Sequence, residues 1–123
     1  MKQNILGLRT VIYKVSDLAT AKDWYTKAFR TVPYFDQPFY VGFNIGGYEL
    51  GLHPEEAPVE RGDAVVAYWG VENIDSEYNR FLDLGATEHE PPQNVGGAIM
   101  VATLKDPWIN VIGLIYNPDF RAL

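Results

Sequence analysis

Apolar and polar positions follow one order along this chain, and that order appears twice. Gly7 to Val15, rich in Val, Ile and Tyr, reads as a β-strand. Ser16-Asp17 comes next, and either side chain can accept from the free amides of a helix start. Leu18, Ala21, Trp24 or Tyr25, and Ala28 then keep helical spacing, which predicts a helix from Leu18 to about Phe29, closed before Pro33. Short strands fit Pro33 to Asp36, Tyr40 to Ile45 and Tyr48 to His53. Gly46-Gly47 between the last two marks a two-residue hairpin, because primed turns need positive φ.

Pro54 to Gly62 carries two Pro, three Glu, an Arg and a Gly and reads as a linker. The order then restarts. Asp63 to Val71 is the expected strand, Asn73 or Asp75 the cap, and Ile74, Tyr78, Phe81, Leu82 and Leu84 one helix face that stops at Gly85. Strands follow at Thr87 to Glu90, Ala98 to Lys105 and Asn110 to Tyr116, with turns at Gly96-Gly97 and Asp106-Pro107. Val15-Ser16-Asp17-Leu18 falls on Val71-Glu72-Asn73-Ile74, and Leu50-Gly51-Leu52 resembles Ile112-Gly113-Leu114. The expectation is an α+β fold of two βαβββ modules, about 5–54 and about 63–117, in one domain spanning 1–123.

The 123 residues contain no cysteine, which excludes disulfides, thiolate metal sites and a cysteine nucleophile and suits a reducing cytoplasm. A net charge of −6 argues against nucleic acid as a partner and is ordinary for solubility, with attraction of a cationic ligand as the alternative. The start, Met1-Lys2-Gln3-Asn4, leads into only a short apolar run, so neither a signal peptide nor a membrane span is expected. The chain shows no nucleophile elbow, P-loop or dinucleotide-binding glycine pattern.

Thr10 to Leu18 followed by Asp23-Trp24-Tyr25-Thr26-Lys27-Ala28-Phe29 resembles the opening of vicinal-oxygen-chelate proteins, the glyoxalase, bleomycin-resistance and extradiol-dioxygenase superfamily. Lys105-Asp106-Pro107-Trp108-Ile109-Asn110 and the strand after it resemble that family's closing "DPxGN" turn, with Ile109 where the family has Gly. Either the turn is built differently here or Ile109 is strained. The resemblance implies two modules whose strands form a curled mixed sheet around a cavity, with helices outside, and a homodimer.

Metal-dependent relatives carry ligands on the first and last strands of each module. The resemblance places those positions at Thr10 and Val66, and at Gly51 (Leu50 if the register differs by one) and Gly113. That set cannot hold a divalent ion, which needs three or four converging donors, so neither a metal nor another cofactor is expected. His53 shares strand parity with Gly51 and Glu49; it either looks into the cavity with Glu49 or ends its strand in solvent. His89, between Glu88 and Glu90, reads as a surface residue. The expected ligand-binding positions are Thr10, Ile12, Glu49, Gly51, His53, Val66, Tyr68, Trp108 and Gly113, with Gly51 and Gly113 leaving room where relatives carry carboxylates. Opposite parity sends Val11, Tyr13, Val65, Ala67 and Trp69 toward the helices.

Such a pocket fits metal-free binding of a small apolar, aromatic or cationic molecule, similar to the bleomycin-resistance branch. The alternatives are a lyase, isomerase or dioxygenase with a non-standard metal site at Glu49 and His53 or metal-free acid–base chemistry, and a subunit whose cavity is vestigial.

Overall fold

The computed structural model describes residues 4–120. Met1 to Gln3, part of the stretch that reads against a signal peptide, lie outside the described residues. The chain divides into two compact units, 1–58 and 59–123. Each is a strand, a helix and three strands, so the expected α+β repeat is present.

In the first unit β1 (Thr10–Val15), α1 (Leu18–Phe29), β2 (Phe35–Gln37), β3 (Tyr40–Ile45) and β4 (Tyr48–Pro54) form a sheet in the order β1-β4-β3-β2. β1 lies parallel to β4 because α1 carries the chain back across the sheet; the other pairs are antiparallel. Asp17 is the helix cap, its Oδ1 accepting the Thr20 amide at 3.1 Å, and that backbone bond is the main cause of its lowered carboxyl pKa. α1 buries Ala21, Tyr25 and Ala28. The Tyr25 ring stacks between Tyr13 and Phe29, with centroids 5.7 Å away on each side. Val15, Val41, Phe43, Leu50 and Leu52 complete this buried core. The hairpin between β3 and β4 turns through Gly46 and Gly47 at φ 59° and 93°, the backbone for which this pair was expected.

The second unit repeats the plan with β5 (Tyr68–Gly70), α2 (Ile74–Asp83), β6 (Thr87–Gly96), β7 (Ile99–Lys105) and β8 (Val111–Tyr116), in the order β5-β8-β7-β6. Asn73 caps α2, accepting the Ser76 amide at 3.1 Å. Trp69, Ile74, Tyr78, Phe81, Leu104, Ile112 and Leu114 form its core.

Three boundaries depart from the sequence reading by three residues or more. β1 begins at Thr10, three residues after Gly7, whose φ of 109° breaks the extended run. β5 is only Tyr68–Gly70, and Val65, expected to face the helix, is 89% exposed; Asp63 and Ala64 beside it offer little apolar area to hold a longer strand down. β6 continues through Pro91-Pro92 to Gly96, well past Glu90. It is an edge strand with three shifts of register, the setting in which proline is tolerated.

Among the described residues no helix is long and apolar enough to cross a membrane.

Candidate ligand-binding face

Strand alternation gives each sheet two faces. In the first unit α1 covers the face carrying Leu50 and Leu52, both fully buried. The other face carries Thr10, Ile12 and Lys14 from β1, paired in register with Glu49, Gly51 and His53 of β4. Gly51 shares this face, whereas Leu50 points into the core. Gly42 of β3 stands directly across from Gly51, and Phe35 of β2 stands across from Gly42. Ile12 is 51% exposed on this face, and Glu49 and His53 are half-buried.

The two paired glycines make a floor of bare backbone, and two tyrosines lie across it. The Tyr34 ring passes over Gly42, where an added Cβ would come within 3.3 Å of its Cε1. Tyr40 passes over Gly51, where a Cβ would stand 2.6 Å from its Cζ. The two hydroxyls meet at one carboxylate: Tyr34 donates to Glu49 Oε1 and Tyr40 to Glu49 Oε2. Donation to Glu49 raises the Tyr34 phenol pKa, and burial followed by the same carboxylate raises that of Tyr40. Both phenols therefore stay protonated donors through the ordinary pH range, and the Glu49 carboxylate accepts from both.

His53 shares the face but is engaged locally, its Nδ1 lying 2.9 Å from Pro54 O. Glu49 and His53 stand four residues apart on β4, about 13 Å at strand rise, with Gly51 and the Tyr40 hydroxyl between them. Among the described residues no three His, Asp or Glu side chains group so as to hold a metal ion. The donor set does not fit the metal that the family resemblance implies: Thr10 offers one hydroxyl, Val66 nothing, and Gly51 and Gly113 have no side chain.

The second unit repeats the glycine device. Tyr68 pairs with Gly113, and its ring lies where a side chain at 113 would begin: a Cβ there would be 2.7 Å from Tyr68 Cδ1 and 2.7 Å from Ala67 O. The room expected at Gly51 and Gly113 is thus filled by tyrosine in both modules. Val66 lies outside the ladder, half-buried before β5. Trp108 stands in the β7–β8 turn, its carbonyl accepting Arg61 Nε at 2.9 Å. Thr103, across β7 from Gly113, is a buried hydroxyl 2.8 Å from His89 Nδ1, and His89 Nε2 lies 3.5 Å from Asp63 Oδ2. His89 is therefore drawn onto its own sheet rather than standing as a plain surface residue.

Sequence reasoning missed Tyr34, Tyr40 and Thr103. A signal for Tyr40 existed: it shares parity with Gly42 in β3, next to a hairpin that carries another glycine at 51.

No curated protein matches the chain in sequence. Solved structures match it closely in fold. A glyoxalase-related enzyme from Fulvimarina pelagi superposes with TM-score 0.78 at 14% identity, covering 97% of this chain and 94% of that one. A glyoxalase/bleomycin resistance protein/dioxygenase family enzyme from Burkholderia phytofirmans PsJN gives TM-score 0.78 at 18% identity, with 90% and 98% covered. TioX from Micromonospora sp. ML1 gives 0.71 at 17% identity, with 89% and 98% covered. At these identities the likeness is one of fold. A family model matches residues 7–114, nearly the whole described chain, and with the doubled βαβββ order it shows that this protein belongs to the glyoxalase/bleomycin resistance protein/dioxygenase superfamily.

Proposed function

We propose that this chain binds a small apolar or aromatic molecule on the helix-free face of its first module, without a bound metal. The observation that carries the reading is the glycine floor at Gly42 and Gly51, overlaid by Tyr34 and Tyr40 and flanked by Ile12 and Phe35. Flat rings and an aliphatic side chain beside bare backbone provide apolar contact area with few orienting polar groups, the usual composition of a small-molecule site. A concavity of about 290 Å³ on the same module lies beside α1 and is bordered by the Lys22–Asp36 ion pair at 3.0 Å. It has no such aromatic lining, so the open face is the better candidate.

A thermal-shift screen of small aromatic compounds tests the proposal on protein dialysed against a chelator. A ligand at about 100 times its Kd adds roughly 2.7 kcal/mol to stability. The expected result is a rise in Tm of several degrees with a subset of compounds, lost in Ile12→Glu. An unchanged Tm across the panel, or shifts that appear only after a divalent metal is restored, would contradict the proposal.

A further inference from the structure

Glu49 is an unusual centre for an apolar site. Its oxygens are held by two neutral phenols, so its charge is positioned without being cancelled. Among the described residues no Lys or Arg side chain forms an ion pair with it. The Arg9 guanidinium is turned to the carbonyls of Leu6 and Leu8, at 3.3 Å each. Lys14 is on the same face but four residues along β1 from Thr10, the register partner of Glu49. The two backbones are therefore about 13 Å apart at strand rise. Asn44, across β3 from Glu49, is neutral, and its Oδ1 is occupied by the Gly47 amide at 2.8 Å.

Two aromatic rings hold this carboxylate, and further rings lead away from it across the same face. Beside Tyr34 and Tyr40, Phe35 packs against Phe39 at 6.0 Å and against Tyr40 at 6.1 Å, with Phe39 62% exposed and available to a ligand. A ring presents a negative face, so these rings and the carboxylate favour the same sign of charge. A neutral ligand settling here would strip water from Glu49 and return nothing for its charge. A small hydrated ion would need several oxygen donors to replace its water, and the face provides one carboxylate. A bulky, weakly hydrated organic cation meets both conditions.

Resting on the reading of this face as a ligand site, we infer that Glu49, Tyr34, Tyr40, Phe35 and Phe39 select an organic cation of the alkylated-ammonium class over a neutral molecule of the same shape. Glu49 supplies the charge, the two phenols hold it in place, and the rings supply the contact area.

The test compares choline with 3,3-dimethylbutan-1-ol, its uncharged carbon isostere, by NMR titration of the whole chain. Choline is expected to bind at least tenfold more tightly than the alcohol. In Glu49→Gln that preference should fall to about one, with the melting profile checked alongside to confirm folding. Phe39→Leu, on an exposed side chain, should weaken choline severalfold and leave the fold intact. Equal affinity for the two compounds, or a preference for choline that survives Glu49→Gln, would overturn the inference. If neutral aromatics bind and choline has no advantage, cation selection fails while the ligand site stands. If neither class binds, both fail.

Discussion

Gly51 and Gly113 are single residues whose roles follow from what lies above them. Each is where metal-dependent relatives would be expected to place a last-strand ligand, and each is covered by a tyrosine ring. Reintroducing a side chain would therefore displace a tyrosine before it could offer a donor. At Gly51 the obstacle is the far end of Tyr40, which can swing away if it gives up Glu49. Gly51→Ala should cost about 1.5–3 kcal/mol, the range for a hydrogen bond to a charged group, and much less when Tyr40 has already been changed to Ala. At Gly113 the obstacle includes the backbone carbonyl of Ala67, which cannot swing, so Gly113→Ala should cost more than Gly51→Ala. Chemical denaturation of the four variants forms a double-mutant cycle for the Gly51–Tyr40 pair plus the Gly113 comparison. Equal costs for Gly51→Ala with and without Tyr40 would refute the account of this glycine.

Among the elements, the β7–β8 turn carries the clearest strain. Ile109 has φ 69°, in the left-handed region that a β-branched residue enters only under constraint, so the second of the two expected outcomes for this turn holds. Asp106 supplies the constraint. It is buried; its Oδ1 accepts the amides of Trp108 and Asn110 at 2.8 Å each, and its Oδ2 accepts Asn110 Nδ2 at 3.0 Å. Ile109 is 57% exposed and loses little burial when shortened. Ile109→Gly relieves roughly 1–2 kcal/mol of left-handed strain, against about 0.5–1 kcal/mol of added chain entropy in the unfolded state. The mutant should melt a few degrees higher in a calorimetric scan; a lower Tm would mean that the Ile109 side chain makes contacts worth more than its strain.

The elements also show what was readable without coordinates. Both helices were legible because a capping side chain and a periodic apolar face agreed at Asp17–Leu18 and Asn73–Ile74. β6 was cut short because Pro91-Pro92 argues against a strand in general, and only its edge position, a property of the whole sheet, removes the objection. β5 was drawn too long because Val65 suited the pattern while its neighbours could not bury it. The site was half legible. The resemblance picked out Thr10 and Gly51, strand parity added Ile12, Glu49 and His53, and the β1–β4 register sets these five on one face. The convergence of Tyr34 and Tyr40 on Glu49 was not legible. Tyr34 lies outside the strands, and the reach of a ring across a glycine is decided by packing between strands that are distant in sequence.

At the scale of the whole molecule, the chain is one module used twice, and both copies keep the same solution: a helix over one sheet face, and a tyrosine over a last-strand glycine on the other. The copies diverge in what surrounds that tyrosine. The first module gathers a carboxylate and exposed rings. The second surrounds Gly113 with a buried threonine, a histidine and Tyr68. Membership of a superfamily whose fold hosts several chemistries does not choose among them, so the choice rests on side chains, and those of the first module suit binding rather than metal coordination. Backbone amide NMR measures this most directly. Protein freed of metal by a chelator is titrated with the small molecule that gives the largest thermal shift. The account predicts saturable shifts centred on Thr10, Ile12, Gly42, Glu49 and Gly51, with the amides of α1 and α2 little changed. Shifts confined to the helices, or binding that appears only when a divalent metal is added back, would contradict it.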